Sequence, residues 1–215
     1  YQQAELLLTD FAKQEDYDNY LSQLAIALCV KTRDADMPIR LWKNFRKQNP
    51  MSTVFAFALA DAADAIQAWP QEKTILSDIL LAMPDAPQAA EMLAQLAIKT
   101  GHPEDCLEQM AELIVNNSKA FDSVSAATEI IAAQPEAIIM LDKFLSQPTN
   151  GNSAMLAGRN YVSAILAAQL GQDDRYDKLL EQAIKTDPKF APAYVSLLSE
   201  KWIKQNPSQT DSLIK

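Results

Sequence analysis

The fold is decided by the stretch PQAAEMLAQLAIKTGHPEDCLEQMAELIVN, residues 87–116. Apolar residues recur in its first half at the i, i+3, i+4, i+7 spacing that gives a helix one apolar face. They are Ala90, Leu93, Ala94 and Ala97. Gly101 ends this helix, because glycine tolerates the positive φ of a helix C-terminus, and Pro103 opens another where its missing N–H would be unpaired anyway. The stretch therefore predicts a helix, a tight turn and a second helix.

Prolines repeat this arrangement along the chain. One series, predicted to open second helices, recurs every 32 or 33 residues and consists of Pro38, Pro70, Pro103 and Pro135. Another series, predicted to follow helix ends, consists of Pro50, Pro84 and Pro188. First helices are predicted over residues 19–31, 53–67 and 87–100 from their apolar spacing. Placing repeat starts at residues 19, 53, 87, 121, 157 and 191 gives intervals of 34 residues, with one of 36.

The composition excludes several classes of protein. The 215 residues are 48% hydrophobic and 22% charged, which is typical of a folded chain. Two cysteines cannot build a disulfide framework, and one histidine leaves few routes to a metal site or to acid–base catalysis. A net charge of -9 disfavours nucleic acid and anionic membranes as partners. Because no apolar run approaches the roughly 18 residues of a membrane span, we expect a soluble protein without membrane insertion.

The repeat resembles the tetratricopeptide repeat (TPR) family, whose unit is a 34-residue helical hairpin. The residues that look like the family's junction between repeats are Asp187, Pro188, Ala191, Tyr194 and Leu197. Ala164, Gly171 and Ala183 match its small-residue and turn positions. The resemblance implies an all-α superhelical solenoid of antiparallel helix pairs. The fourth repeat matches least, because its Phe144 and Pro148 fit only with a shift.

The resemblance covers almost the whole chain as one solenoid. Full repeats are predicted at residues 19–52, 53–86, 87–120, 121–156 and 157–190. Residues 2–18 resemble the second helix of a preceding repeat, and residues 191–215 a partial one. Both ends lack a polar capping helix, so we interpret the chain as a fragment of a longer TPR-containing protein. Its compartment, cytoplasmic or periplasmic, is not assigned.

Few residues suggest chemistry. His102 precedes a helix-opening proline and is interpreted as an exposed turn or N-cap residue. Cys29 and Cys106 lie on apolar faces and are interpreted as buried. Asp61 and Asp64 share a helix face, as paired catalytic or metal-binding carboxylates do, but no basic, glycine or aromatic constellation supports that role. We therefore expect no cofactor, no metal and no enzyme activity, with a carboxylate-based enzyme as the third and weakest alternative.

The family resemblance implies binding on the concave face. In TPR proteins this face is formed by the second, fifth, ninth and twelfth positions of each first helix. The partner-binding residues that it implies here are Tyr20, Gln23, Phe57, Asp61, Asp64, Glu91, Gln95, Asp122, Glu129 and Tyr161. Acids dominate its centre, so a protein or peptide with basic residues and an apolar anchor is the expected partner.

Two functions remain open from the sequence. The first is a non-enzymatic adaptor that binds a partner protein through the concave face. The alternative is a structural spacer or self-assembly scaffold within a larger protein, such as bacterial export or assembly machinery. In that alternative, copies associate through chain ends that carry Trp202 and Leu213.

Overall fold

A computed structural model describes residue 3 and residues 18–47, 54–148 and 152–205. These residues form helices and no strands, which confirms the all-α prediction. The eleven helices of this described part are α1 (Asp18–Thr32), α2 (Met37–Arg46), α3 (Val54–Ala65), α4 (Trp69–Ala82), α5 (Pro87–Thr100), α6 (Pro103–Asn116), α7 (Phe121–Ala132), α8 (Ala137–Ser146), α9 (Ser153–Gln169), α10 (Asp173–Thr186) and α11 (Ala191–Gln205). The first helices predicted from apolar spacing are confirmed to within two residues at each end.

The chain divides into two compact units, residues 1–96 and 97–215, with the boundary inside α5. In the amino-terminal unit, α3 packs against α1 and against its hairpin partner α4. The second helices α2 and α4 also pack against each other. First helices therefore contact first helices and second helices contact second helices, as expected for stacked hairpins. One continuous solenoid with the repeat limits given above stays a prediction.

Helix α9 is the centre of the carboxyl-terminal unit. It packs most extensively against α10, and also against α6 and α7. Its contact with α8 is smaller, because α8 spans just 10 residues. Helix α11 packs against α10 and completes the described part of this unit.

Alanine and aromatic side chains fill the core of the amino-terminal unit. Helix α3 buries Ala56, Ala60 and Ala63 completely, and such small residues let neighbouring helices approach closely. Trp42 and Phe45 are buried on α2, as predicted for core residues of a second helix. The Phe45 ring also lies 4.5 Å from the Phe55 ring between centroids, which links α2 to α3. Phe144, the corresponding aromatic residue of α8, is buried as predicted.

The turn after a first helix uses a left-handed residue at a regular position. Gly101 and Gly171 have φ of +79° and +70°, as predicted for helix-ending glycines. Arg33 and Gln67 occupy the equivalent position in the first two repeats with φ of 51° and 60°. After α5, the Gly101 N–H donates to Ile98 O and the next N–H donates to Ala97 O, which satisfies the carbonyls of the last turn.

Pro135 corrects one prediction. It lies 34 residues after Gly101, at the position that is left-handed in the other turns, and the proline ring fixes φ near -65°. The α7 end therefore closes differently, with Ala133 in the right-handed helical region. Helix α8 begins at Ala137, so Pro135 does not open it. Pro38, Pro70 and Pro103 do stand in the first two positions of their helices, as predicted.

The left-handed turns give a prediction for stability. Gly101→Ala is expected to lower the free energy of unfolding by about 1 kcal/mol, because a Cβ at positive φ is strained although the space around it is open. Gln67→Gly, the reverse change at the equivalent turn, is expected to raise it by up to about 1 kcal/mol. Urea unfolding followed by circular dichroism measures both. Equal signs for the two substitutions would contradict this reason.

Several predictions lie outside the described residues. These are the second helix of a preceding repeat at residues 2–18, except for Asp18 in α1, and the helix end at Pro50. The continuation past α11, with Leu213, lies outside them too. The side chains of Tyr20 and Trp202 are also outside them, although their backbones lie in α1 and α11.

Candidate functional site

One stripe of α3 is accessible although most of this helix is buried. Its members recur at the i, i+3, i+7, i+10 spacing of one helix face and are Val54, Phe57, Asp61 and Asp64. Val54 is 52% exposed and Asp61 is exposed, while Phe57 and Asp64 are half-buried. The equivalent positions of α1, which packs against α3, are exposed too. They are Gln23, Ala27 and Val30. We call these seven residues the α1–α3 face.

The α1–α3 face combines apolar surface with negative charge. Partial burial raises the pKa of the Asp61 carboxyl, and the negative charge of Asp64 raises it further. Both causes disfavour the ionised form of Asp61. A cation placed between the two carboxylates would reverse the second cause, because opposite charge stabilises the ionised form. The face is therefore suited to a positively charged group beside an apolar one.

The other predicted acidic and amide residues are accessible but lie on separate helices. Glu91 and Gln95 are exposed on α5, and Asp122 and Glu129 are exposed on α7. Each pair follows the same register as the stripe on α3. These four residues stay candidates for partner contact on their own helices.

Tyr161 corrects the predicted site, because it is a core residue. Its side chain is 2% exposed and lies between the rings of Phe121 and Phe190, with centroids 6.2 Å and 5.8 Å away. The hydroxyl oxygen is 3.3 Å from Oγ of Ser196 on α11. Burial raises the pKa of Tyr161 to about 12. The side chain therefore joins α9 to α7 and α11 and does not offer a surface to a partner.

The cause of this error is the way in which α9 begins. Asn152 caps the helix by accepting the backbone N–H of Met155 at 3.0 Å, so α9 starts at Ser153, before the predicted repeat start at residue 157. The extended helix packs on α6 at Gly158, where an added Cβ would come within 2.8 Å of Ala111 O. Positions that line the accessible stripe in the other first helices are buried in α9.

Sequence reasoning also missed Arg159, the buried cation of α9. The residue is 6% exposed, and its Nη1 donates to Glu108 Oε2 on α6 at 2.8 Å. Its Nη2 donates to Phe144 O and, at 3.4 Å, to Gln147 O at the end of α8. The guanidinium carbon also lies 4.3 Å from the centre of the Phe144 ring. A basic residue one position after an interior helix glycine was the available signal.

The residues with possible reactivity occupy the places predicted for them. His102 is exposed at the N-cap of α6, and Cys29 and Cys106 are buried free thiols. Within the described ranges, no group of three or more His, Cys, Asp or Glu side chains is arranged to hold a metal ion. In the same part of the chain, no helix combines the length and apolar character needed to cross a membrane.

Comparisons with known proteins give one distant structural likeness. No family model matches the chain. No curated protein matches it either. Among solved structures it is similar to YrrB, described as a TPR protein with an unusual peptide-binding site. The identity is 14% and the TM-score 0.35, over 86% of this chain and 92% of that one. The helical-repeat fold stated above rests on the described helices themselves.

Proposed function

We propose that the chain is a protein-interaction module that holds a segment of a partner protein on the α1–α3 face. The observation that carries this proposal is the presence of accessible apolar side chains and two carboxylates on one stripe of α3. Apolar contact contributes affinity, and complementary charge contributes orientation and selectivity. No comparable arrangement of groups suggests a reaction in the described residues, so binding is favoured over catalysis.

The spacing of the stripe defines the partner's chemistry. Phe57 and Asp61 are four residues apart on α3, which places their Cβ atoms about 6 Å apart. An extended partner segment covers about that distance in two residues, since a strand rises about 3.3 Å per residue. A helical segment covers it in four residues. The expected partner therefore carries Lys or Arg two or four residues from a large apolar side chain.

A selection experiment tests this proposal. A phage-displayed random peptide library is panned on the immobilised protein, and selected peptides are measured by fluorescence anisotropy. We expect enrichment of peptides with the basic and apolar spacing given above. The double substitution Asp61→Asn and Asp64→Asn is expected to weaken their binding about fivefold, because each exposed charge contact contributes about 0.5 kcal/mol. Phe57→Ala is expected to weaken binding as well, through loss of apolar contact.

The matched control changes the net charge equally at another place. Glu112 on α6 and Glu181 on α10 are exposed acids away from the α1–α3 face. Their joint replacement by glutamine is expected to leave peptide affinity within about twofold, since only long-range, screened charge is lost. Selected peptides that bind the Asp61 and Asp64 variant as tightly as the wild type would show that this face is not the site.

A further inference from the structure

Helix α11 exposes an apolar stripe that is covered in the earlier first helices. Its exposed members follow the i, i+3, i+4, i+7 spacing and are Ala191, Tyr194, Val195 and Leu198. Tyr194 is 39% exposed and Leu198 is 64% exposed. The positions equivalent to these two residues on α3, α5 and α7 are all at most 1% exposed. They are Ala56 and Ala60, Ala90 and Ala94, and Val124 and Thr128. The open stripe therefore suits a further packed helix.

The sequence of α11 also supplies positive charge after this stripe. Lys201 follows Leu198 by three residues, and Lys204 follows Lys201 by three more. This register places both on the helix face of Tyr194, which precedes Lys201 by seven residues. Helix α3 has the opposite charges in a similar register, with Phe57 followed by Asp61 and Asp64.

The dimensions of the two stripes agree. From Phe57 to Asp64 the helix axis advances about 10 Å, and from Leu198 to Lys204 about 9 Å. A helix laid parallel to α3 with Leu198 beside Phe57 would bring Lys201 to Asp61 and Lys204 to Asp64. This is recognition of an amphipathic helix by an apolar groove with matched charges at one end.

We propose that α11 of one copy docks on the α1–α3 face of a second copy, so that the protein associates head to tail. The inference rests on the proposed function, because it uses the same face and names its partner as this chain. The two surfaces differ, so the contact is heterologous, and each added copy leaves one α1–α3 face and one α11 stripe open. Association is expected to weaken with salt, because exposed charge pairs are screened.

Two variants separate the surfaces. Leu198→Glu places a charge on the α11 stripe, and the pair Asp61→Lys and Asp64→Lys reverses the charge of the α1–α3 face. In sedimentation velocity over a concentration series, the wild type is expected to form dimers and larger species. Each variant alone is expected to associate at least about tenfold more weakly. An equimolar mixture is expected to form a dimer that grows no further, because one good surface remains on each copy.

A charge exchange controls for loss of folding. A chain with Lys at positions 61 and 64 and with Lys201→Asp and Lys204→Asp is expected to regain the wild-type association. Circular dichroism of each variant checks that the helices persist.

Three results would overturn the inference. A wild type that stays monomeric at every concentration would do so, whether or not α11 is covered by the chain's own residues. Association that survives the reversal of Asp61 and Asp64 but is lost in Leu198→Glu would mean that α11 stripes pair with each other. Association that Leu198→Glu leaves unchanged would place the contact elsewhere. A monomer that still binds the selected peptides contradicts this inference alone, whereas failure of both contradicts the proposed function too.

Discussion

Replacing Gly158 by alanine is expected to lower the free energy of unfolding of the carboxyl-terminal unit by about 2 kcal/mol. The new Cβ would stand 2.5 Å from Cγ2 of Val115 and 2.8 Å from Ala111 O on α6. The Val115 methyl group can rotate away, but a backbone carbonyl can move only with its helix. Alanine improves helix propensity by about 1 kcal/mol, and the packing conflict is expected to exceed that gain. Gly158→Val is expected to cost more than about 3 kcal/mol.

Urea unfolding followed by far-UV circular dichroism measures these losses. Val115→Ala in the Gly158→Ala background removes the closer of the two conflicts and is expected to restore part of the stability, while the conflict with Ala111 O persists. Ala168→Gly is the control for propensity, because Ala168 is exposed on the same helix. It is expected to cost no more than about 1 kcal/mol. A Gly158→Ala protein more stable than the wild type would show that α9 and α6 are not in close contact there.

The glycines and prolines made most of the secondary structure predictable. Gly101 and Gly171 are left-handed turn residues, and Pro103 begins α6, as their local chemistry requires. These residues act through their own backbone, so their effect is visible without tertiary information. Pro135 shows the limit of this reasoning. Its spacing resembled the other helix-opening prolines, but it replaced the left-handed turn residue and α8 began two positions later.

Tyr161 could not be placed by register alone. The family pattern assigned it to an accessible face, because each repeat was given the same helix orientation. Helix α9 starts early at its Asn152 cap and packs through Gly158, so the same register position is buried between Phe121 and Phe190. A glycine inside a helical pattern signals close approach of another backbone. That signal was present in the sequence, but the helix that approaches is set by tertiary packing.

The α3 stripe was predictable for the opposite reason. Ala56, Ala60 and Ala63 are small residues on the buried side of α3, which leaves Phe57 and Asp61 on the side away from the core. Helical periodicity fixes which residues share a face. It does not fix which partner lies on that face, so occupancy of the stripe requires the binding experiments above.

Replacing Arg159 by methionine is expected to lower the free energy of unfolding by about 3 kcal/mol, because a buried hydrogen-bonding group is removed. The guanidinium satisfies Phe144 O at the end of α8, which methionine leaves without this donor. Methionine retains much of the packing volume, so the loss reports mainly on polar contacts and on the stacking over the Phe144 ring.

The controls for Arg159 separate the buried contacts from the ion pair. Glu108 has a side chain 41% exposed, so Glu108→Gln is expected to cost less than about 1 kcal/mol. Arg175→Met is the matched control on α10, because its partner Asp142 is 59% exposed and surface pairs contribute about 0.5 kcal/mol. Urea unfolding compares all three variants. Equal losses for Arg159→Met and Arg175→Met would mean that Arg159 acts as an ordinary surface cation. The expected order instead makes Arg159 the polar clamp that fixes α9 to α6 and α8.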